Sequence, residues 1–202
     1  MNQITTIIFD FGNVVAFFDH MKACKGFAEF SPYSAEKIYE LIFGAGIEQK
    51  FDEGRITPEE FFQEVVKTIS LDKIVNFKNF QKIWADIFWS NPKMQKVITD
   101  LKNKGYKLVL LSNTNETHFN WFYQKIKILS MFAQFVLSFK SHEYRKPDSR
   151  MWQGFGKESI YIDDKFEYCE IAEKAGIAKS FLYDAKNHEE FVKELFAYLK
   201  GG

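Results

Sequence analysis

The sequence predicts an α/β protein: a doubly wound parallel sheet of about five strands, interrupted by an all-helical insert. Three observations lead there. Short runs rich in β-branched and aromatic residues alternate with helix-period segments over most of the chain. Between Asp19 and Ser90 that alternation stops, and helical patterns follow one another with no convincing strand. The apolar runs end in residues able to do chemistry, the first being Asp10 in "IIFDFGNVV".

The strands read as "TTIIFDF" (Thr5–Phe11), "YKLVLLSN" (Tyr106–Asn113), "FVLSF" (Phe135–Phe139), "SIYIDD" (Ser159–Asp164) and "KSFLYD" (Lys179–Asp184). Each is apolar on both faces, as strands of a covered parallel sheet are. After the first, "SAEKIYELIF", "TPEEFFQEVVKTI" and "NFQKIWADIFW" read as helices. In the middle one Thr57 caps, Pro58 takes the first turn, Glu60 completes a capping box, and Phe61, Phe62, Val65, Val66 and Ile69 form its apolar face. "NPKMQKVITDLKNKG" opens with Asn91 and Pro92, turns Met94, Val97, Ile98 and Leu101 inward, and stops at Gly105. "FEYCEIAEKAG" follows the fourth strand and ends at Gly176. "NHEEFVKELFAYL" closes the chain, with Asn187 and Glu190 at capping-box spacing. An insert of roughly 70 residues is too long for a loop within a compact domain. It reads as a cap subdomain over 18–90, on a Rossmann-like core made of 1–17 and 91–202.

Composition narrows the function. The chain has 27 basic and 27 acidic residues, hence no net charge, and nothing favours a nucleic-acid partner. No apolar run approaches the ~18–20 residues that span a bilayer. The N-terminus has no basic flank and cleavage site, so the expected location is cytoplasmic. Cys24 and Cys169 lie far apart and form no metal or redox motif. The 23 phenylalanines are expected mostly in the core.

In a parallel α/β sheet, ligands bind beyond the carboxyl ends of the strands. There the sequence puts Asp10, then Ser112-Asn113-Thr114, then Arg145-Lys146-Pro147-Asp148, then Asp163-Asp164. Any one has an ordinary reading: a helix-capping acid, turn residues, a solvated lysine, a helix start. Together they suit phosphoryl transfer. One carboxylate can attack phosphorus, others can hold Mg²⁺, and the hydroxyl, amide and ammonium can grip phosphoryl oxygens. Gly12 lets the backbone approach a metal or phosphate.

These motifs, in this order and over nearly the whole chain, resemble the haloacid dehalogenase (HAD) superfamily, mostly Mg²⁺-dependent phosphatases. "IIFDFGNVV", "LVLLSNTN", "RKPD" and "YIDD" match its four motifs, and the insert falls where one type of family cap falls. "FDEGRITPEEFF" is similar to a cap segment of the sugar-phosphatase branch that includes glucose-1-phosphate phosphatases. The resemblance implies Asp10 as nucleophile and metal ligand and the Gly12 carbonyl as a second ligand. It implies Ser112 and Asn113 on the phosphoryl group, with Lys146 neutralising it. Asp163 would be the main metal ligand from the fourth strand, with Asp164 supporting the metal shell or orienting Lys146. The implied partner is a small phosphate ester, the implied state a monomer or homodimer.

Three departures from the family pattern matter. Gly12 stands where many members carry a second Asp as general acid and base. His20, near the cap junction, is a candidate substitute donor, although a histidine there is more often a surface or linker residue. Lys165 and Tyr168 occupy a stretch where the family often has Asn, and "SRMWQGFGKES" leaves room for about two helical turns at most. Two alternatives follow: a 2-haloacid dehalogenase using the same Asp10, and a HAD-like binding protein without turnover. In the cap, Phe51, Trp84 and Trp89 are candidate substrate contacts, though cap aromatics more often pack helices together.

Overall fold

The computed structural model describes residues 3–201 of the chain. In chain order its strands are β1 (Thr6–Phe9), β2 (Ala16–Phe18), β3 (Phe88–Ser90), β4 (Lys107–Ser112), β5 (Gln134–Leu137), β6 (Ser159–Asp163) and β7 (Lys179–Leu182). Its α-helices are α1 (His20–Ala28), α2 (Ala35–Tyr39), α3 (Ile47–Asp52), α4 (Pro58–Thr68), α5 (Phe77–Ala85), α6 (Pro92–Asn103), α7 (Glu116–Lys125), α8 (Phe166–Lys174) and α9 (His188–Gly201).

Five strands form one parallel sheet in the order β5-β4-β1-β6-β7, with helices on both faces. The five apolar runs of the sequence are these strands. Side chains alternate across the sheet, so each face has its own core. On one face Ile7, Phe9, Leu110 and Ile162 pack with α6, α7 and α9. On the other Ile8, Val109, Leu111 and Tyr161 meet α8 and the 3₁₀ turn Ser149–Trp152. That single turn is what the short stretch after Lys146 has room for. A third core, drawn from residues 23–87, joins Phe27, Phe51, Phe61, Phe80 and Trp84 within the insert.

Local signals explain most boundaries. The Thr57–Glu60 capping box forms, and Asn91 caps α6 while its amide also reaches the Val14 carbonyl and the Tyr183 hydroxyl. Four expectations are corrected. The helix read across "NFQKIWADIFW" stops at Ala85, and Phe88–Ser90 pairs antiparallel with Ala16–Phe18. The insert is therefore not wholly helical: a short aromatic run favouring extended backbone closes its base as a two-stranded ribbon. That ribbon crosses the boundary expected at 17/18 and ends at the one expected at 90/91. "SAEKIYELIF" divides into α2 and a π-helical turn, Glu40–Gly44. The third strand ends at Leu137, because Ser138–Lys140 turns as a 3₁₀ helix. The Asn187–Glu190 box is absent. Asp184 caps the turn Ala185–Asn187 instead, and the Asn187 amide donates to Asp184.

Candidate active site

β1 is the central strand, so its end has a neighbour on each side. Phe9 is in register with Leu110 of β4 and Ile162 of β6. The next residue, Asp10, donates its N–H to the Ile162 carbonyl and leaves the sheet between the ends of those two strands. Parallel registration thus brings Asp10, Ser112 and Asp163 to one edge.

Lys146 comes from the loop after β5. Its Nζ lies 2.6 Å from Asp10 Oδ1 and 2.7 Å from Asp163 Oδ2, and donates to the Tyr161 hydroxyl at 2.9 Å. Tyr161 in turn donates to Asp163. Lys146 is 2% exposed and Asp163 is fully buried, so this ion cluster is shielded from water. Burial pushes Asp10 up to about 7, against the pull of Lys146. Burial also works against the Lys146 charge, but Asp10 and Asp163 outweigh it and hold the ammonium above its ordinary range. The Tyr168 ring, with its centroid 5.0 Å from Nζ, adds a cation–π face.

The other expected residues divide by what they touch. Asn113 accepts from the Lys146 N–H at 2.8 Å and donates to its carbonyl at 2.9 Å. Its amide therefore clasps the lysine loop. Ser112 is buried beside the same cavity. Asp163 Oδ1 accepts from the Lys165 N–H, while Oδ2 takes Lys146 and Tyr161. Asp164 is less buried, lines the cavity, and takes a hydrogen bond from Asn13 at 3.0 Å. Asn13 holds a left-handed backbone conformation, φ 57°, which Asn tolerates better than most residues. Asp10, Asp163 and Asp164 each offer an oxygen within 4.8 Å of the others. Such a hard all-oxygen donor set fits Mg²⁺.

A cavity of about 120 Å³ opens above Asp10. Gly12, Asn13, Ser112, Asn113, Lys146 and Asp164 line it from the sheet edge, and Phe18, His20, Glu48, Asp52 and His118 from the insert and α7. Gly12 is tightly packed here: a Cβ would stand 2.7 Å from the Phe18 ring, which would have to shift. His20 is no surface histidine. It opens α1 within van der Waals reach of Phe18 and Phe43, and burial lowers its pKa. Phe51 and Trp84 are buried in the insert's own core, and Trp89 is half exposed on the ribbon; none lines the cavity.

Sequence reasoning passed over the docking of insert to core. The Asn115 amide donates to Asp52 Oδ1 at 2.9 Å and approaches His118 Nδ1 at 3.0 Å, while His118 Nε2 faces the Trp84 carbonyl at 3.1 Å. Ser138 donates to the Asp52 carbonyl and accepts from the Thr114 N–H. Arg145 stands 3.9 Å from both Glu48 and Asp52. At Gly54, φ 68°, a side chain would run into the Phe139 carbonyl. Tyr161 was also passed over, though its place two residues before Asp163 put it on the same strand face.

A family model of haloacid dehalogenase-like hydrolases matches residues 4–176, and the chain belongs to that family. A D-ribitol-5-phosphate phosphatase of Bacteroides thetaiotaomicron is 27% identical over 121 residues, which is 59% of this chain and 57% of that protein. The match thus spans little more than half the length of that relative. A HAD family enzyme from the same organism, in complex with magnesium and inorganic phosphate, superposes with a TM-score of 0.76 at 24% identity, covering 90% of this chain and 95% of that one. A HAD-like family hydrolase of Porphyromonas gingivalis gives 0.77 at 22% identity, covering 96% and 98%. These two structures share the fold. Among the described residues no helix is long and apolar enough to cross a membrane.

Proposed function

We propose that this protein is a Mg²⁺-dependent phosphatase that hydrolyses a small phosphorylated metabolite through an aspartyl-phosphate on Asp10. The observation that carries the reading is the convergence of Asp10, Asp163 and Asp164 within 4.8 Å around a buried Lys146. The phosphatase relative and the magnesium and phosphate in the structural neighbour support it.

Asp10 Oδ attacks phosphorus, the ester P–O bond breaks, and the alcohol departs; water then hydrolyses the acyl phosphate and frees Asp10. Lys146 holds the carboxylate in place and offers positive charge to the phosphoryl oxygens. The Ser112 hydroxyl binds one of those oxygens. Asn113 serves mainly by fixing Lys146, since both ends of its amide are committed there. Mg²⁺, held by Asp10, the Gly12 carbonyl and the Asp163-Asp164 pair, would neutralise phosphate charge. Of that pair Asp164 is the better placed as a direct ligand, because it lines the cavity while Asp163 is enclosed by Lys146, Tyr161 and the Lys165 N–H. Position 12 carries no acid, so the departing alcohol draws its proton from another group, with His20 the titratable side chain of the insert's first helix on this cavity.

We place the cap at 18–90 and the core at 1–17 and 91–202, whose residues 1, 2 and 202 lie outside the described residues. Substrate enters between them. A sugar or polyol phosphate ranks first, on the D-ribitol-5-phosphate phosphatase relative and the "FDEGRITPEEFF" similarity. A dehalogenase would use the same Asp10 but would leave Asp164 and its Asn13 support without a task. Hydrolysis of p-nitrophenyl phosphate that needs Mg²⁺ and disappears in Asp10→Asn is the expected result. Halide release from 2-halo acids with no phosphate release from any ester would reverse the assignment.

A further inference from the structure

The insert's side of the cavity carries chemistry that the phosphoryl-transfer step leaves unused. Glu48 and Asp52 lie four residues apart in α3, so they share a helix face. Both line the cavity that Asp10 lines. Their side chains are 16% and 7% exposed. They are close enough that, after burial, Glu48 is the largest influence raising Asp52's pKa. Asp52 accepts from Asn115, and it and Glu48 also lie within hydrogen-bond reach of each other, a contact that helps hold Asp52 above the ordinary carboxylate range. The nearest basic group to Glu48 among the ion pairs of the described residues is Arg145, at 3.9 Å, beyond hydrogen-bond range. Arg145 is not among the residues lining the cavity. The substrate's far end therefore meets carboxylate oxygens, which want hydrogen-bond donors.

Building on the phosphatase reading, we propose that Glu48 and Asp52 form the leaving-group subsite, selecting an uncharged, hydroxyl-bearing alcohol and rejecting one with a second negative charge. Size agrees. With ~10–15 Å³ of such space per water-sized group, the cavity holds roughly ten non-hydrogen atoms, a phosphoryl group and a short alcohol. The hydroxyls donate to the Glu48 carboxylate beside its contact with Asp52. An anionic substituent in the same place would face a like charge in a partly desolvated site, where a few ångströms' separation is worth more than a tenfold change in kcat/KM. Lys165 lies at the exposed rim and lets anions approach the mouth without countering the inner wall.

The test pairs two esters of nearly equal size, glycerol 3-phosphate and 3-phosphoglycerate, which differ by a hydroxymethyl against a carboxylate. Wild type with Mg²⁺ is expected to favour glycerol phosphate by about tenfold or more in kcat/KM. Glu48→Gln should narrow that ratio several-fold, and Glu48→Lys should invert it. Ratios are compared so that a general loss of activity cancels, and thermal unfolding confirms that each variant is folded. A wild-type ratio near one, or a ratio unmoved in both variants, overturns the proposal. So does a preference for phosphoethanolamine over glycerol phosphate, which would make the wall an ammonium site. If p-nitrophenyl phosphate also resists hydrolysis, the phosphatase reading has failed and takes this inference with it. If that ester is cleaved without charge discrimination, only the subsite is wrong.

Discussion

Replacing Lys146 with methionine keeps most of its volume and removes its charge from between two buried carboxylates. Asp10 and Asp163 accept from its ammonium at 2.6 and 2.7 Å, and Tyr161 at 2.9 Å. Charge-assisted bonds contribute roughly 1.5–3 kcal/mol each, and breaking one side of a buried ion pair costs about 3–5 kcal/mol. Over three bonds the first route gives about 4.5–9 kcal/mol and the second about 3–5, so the two meet near 5 kcal/mol at neutral pH, which for a chain of this length is roughly 10 °C or more in melting temperature. The loss should be greatest in EDTA. It should shrink on adding Mg²⁺, which can compensate the same carboxylates by mass action. It should also shrink in Lys146→Met/Asp163→Asn, where one orphaned charge is gone. Urea unfolding of the three proteins, with and without Mg²⁺, measures this. Phosphatase rate should fall by about a hundredfold or more in Lys146→Met, because a preorganised charge facing the phosphoryl oxygens is lost. A variant within about 1 kcal/mol of wild type in EDTA, or one that retains near wild-type turnover, would refute the placement of Lys146 as both structural and catalytic cation.

Other predictions address the cap and the loop after β1. Burial, with His20 nearby, lowers His118 to about 3, far below its unfolded value, so the unfolded chain binds the extra proton. Stability should be intact above pH ~6.5 and fall by about 1.4 kcal/mol per unit below it, a slope that His118→Gln should flatten in urea titrations at pH 7, 6 and 5. Asn115→Ala removes the donor to buried Asp52 and should cost about 1–3 kcal/mol. Amide exchange should then rise first in α3 and the Ser138–Lys146 loop if insert and loop are coupled as drawn. Gly12→Ala should destabilise by about 1–3 kcal/mol through overpacking against Phe18. Gly12→Ala/Phe18→Leu should recover most of that, and additivity of the two changes would deny the contact.

How much of this was legible beforehand follows from which interactions are local. The five strands announced themselves as short apolar runs, and parallel registration then sent Asp10, Ser112 and Asp163 to one edge with no further information needed. Lys146 was legible as a strand-end lysine; its partner Tyr161 could be placed on the Asp163 face by period two, but a tyrosine in an apolar run reads first as core, so its role was passed over. The ribbon was misread for a related reason: Phe88–Ser90 is too short to show a period, and only pairing with Ala16–Phe18, some 70 residues away, makes it a strand. That the Asn113 amide clasps the backbone of residue 146 was not legible, because main-chain atoms leave no mark in a sequence. The same holds for Glu48 and Asp52, which on α3 alone are two acids on a helix face. They become a cavity wall only because Asn115, Ser138 and Arg145 fasten that helix over the sheet edge. The reacting end is thus written in strand ends. On the reading proposed above, the end that chooses the alcohol depends on contacts between segments distant in sequence, so two chains with the same motifs can differ there entirely, and substrate choice would be decided at α3 rather than at Asp10.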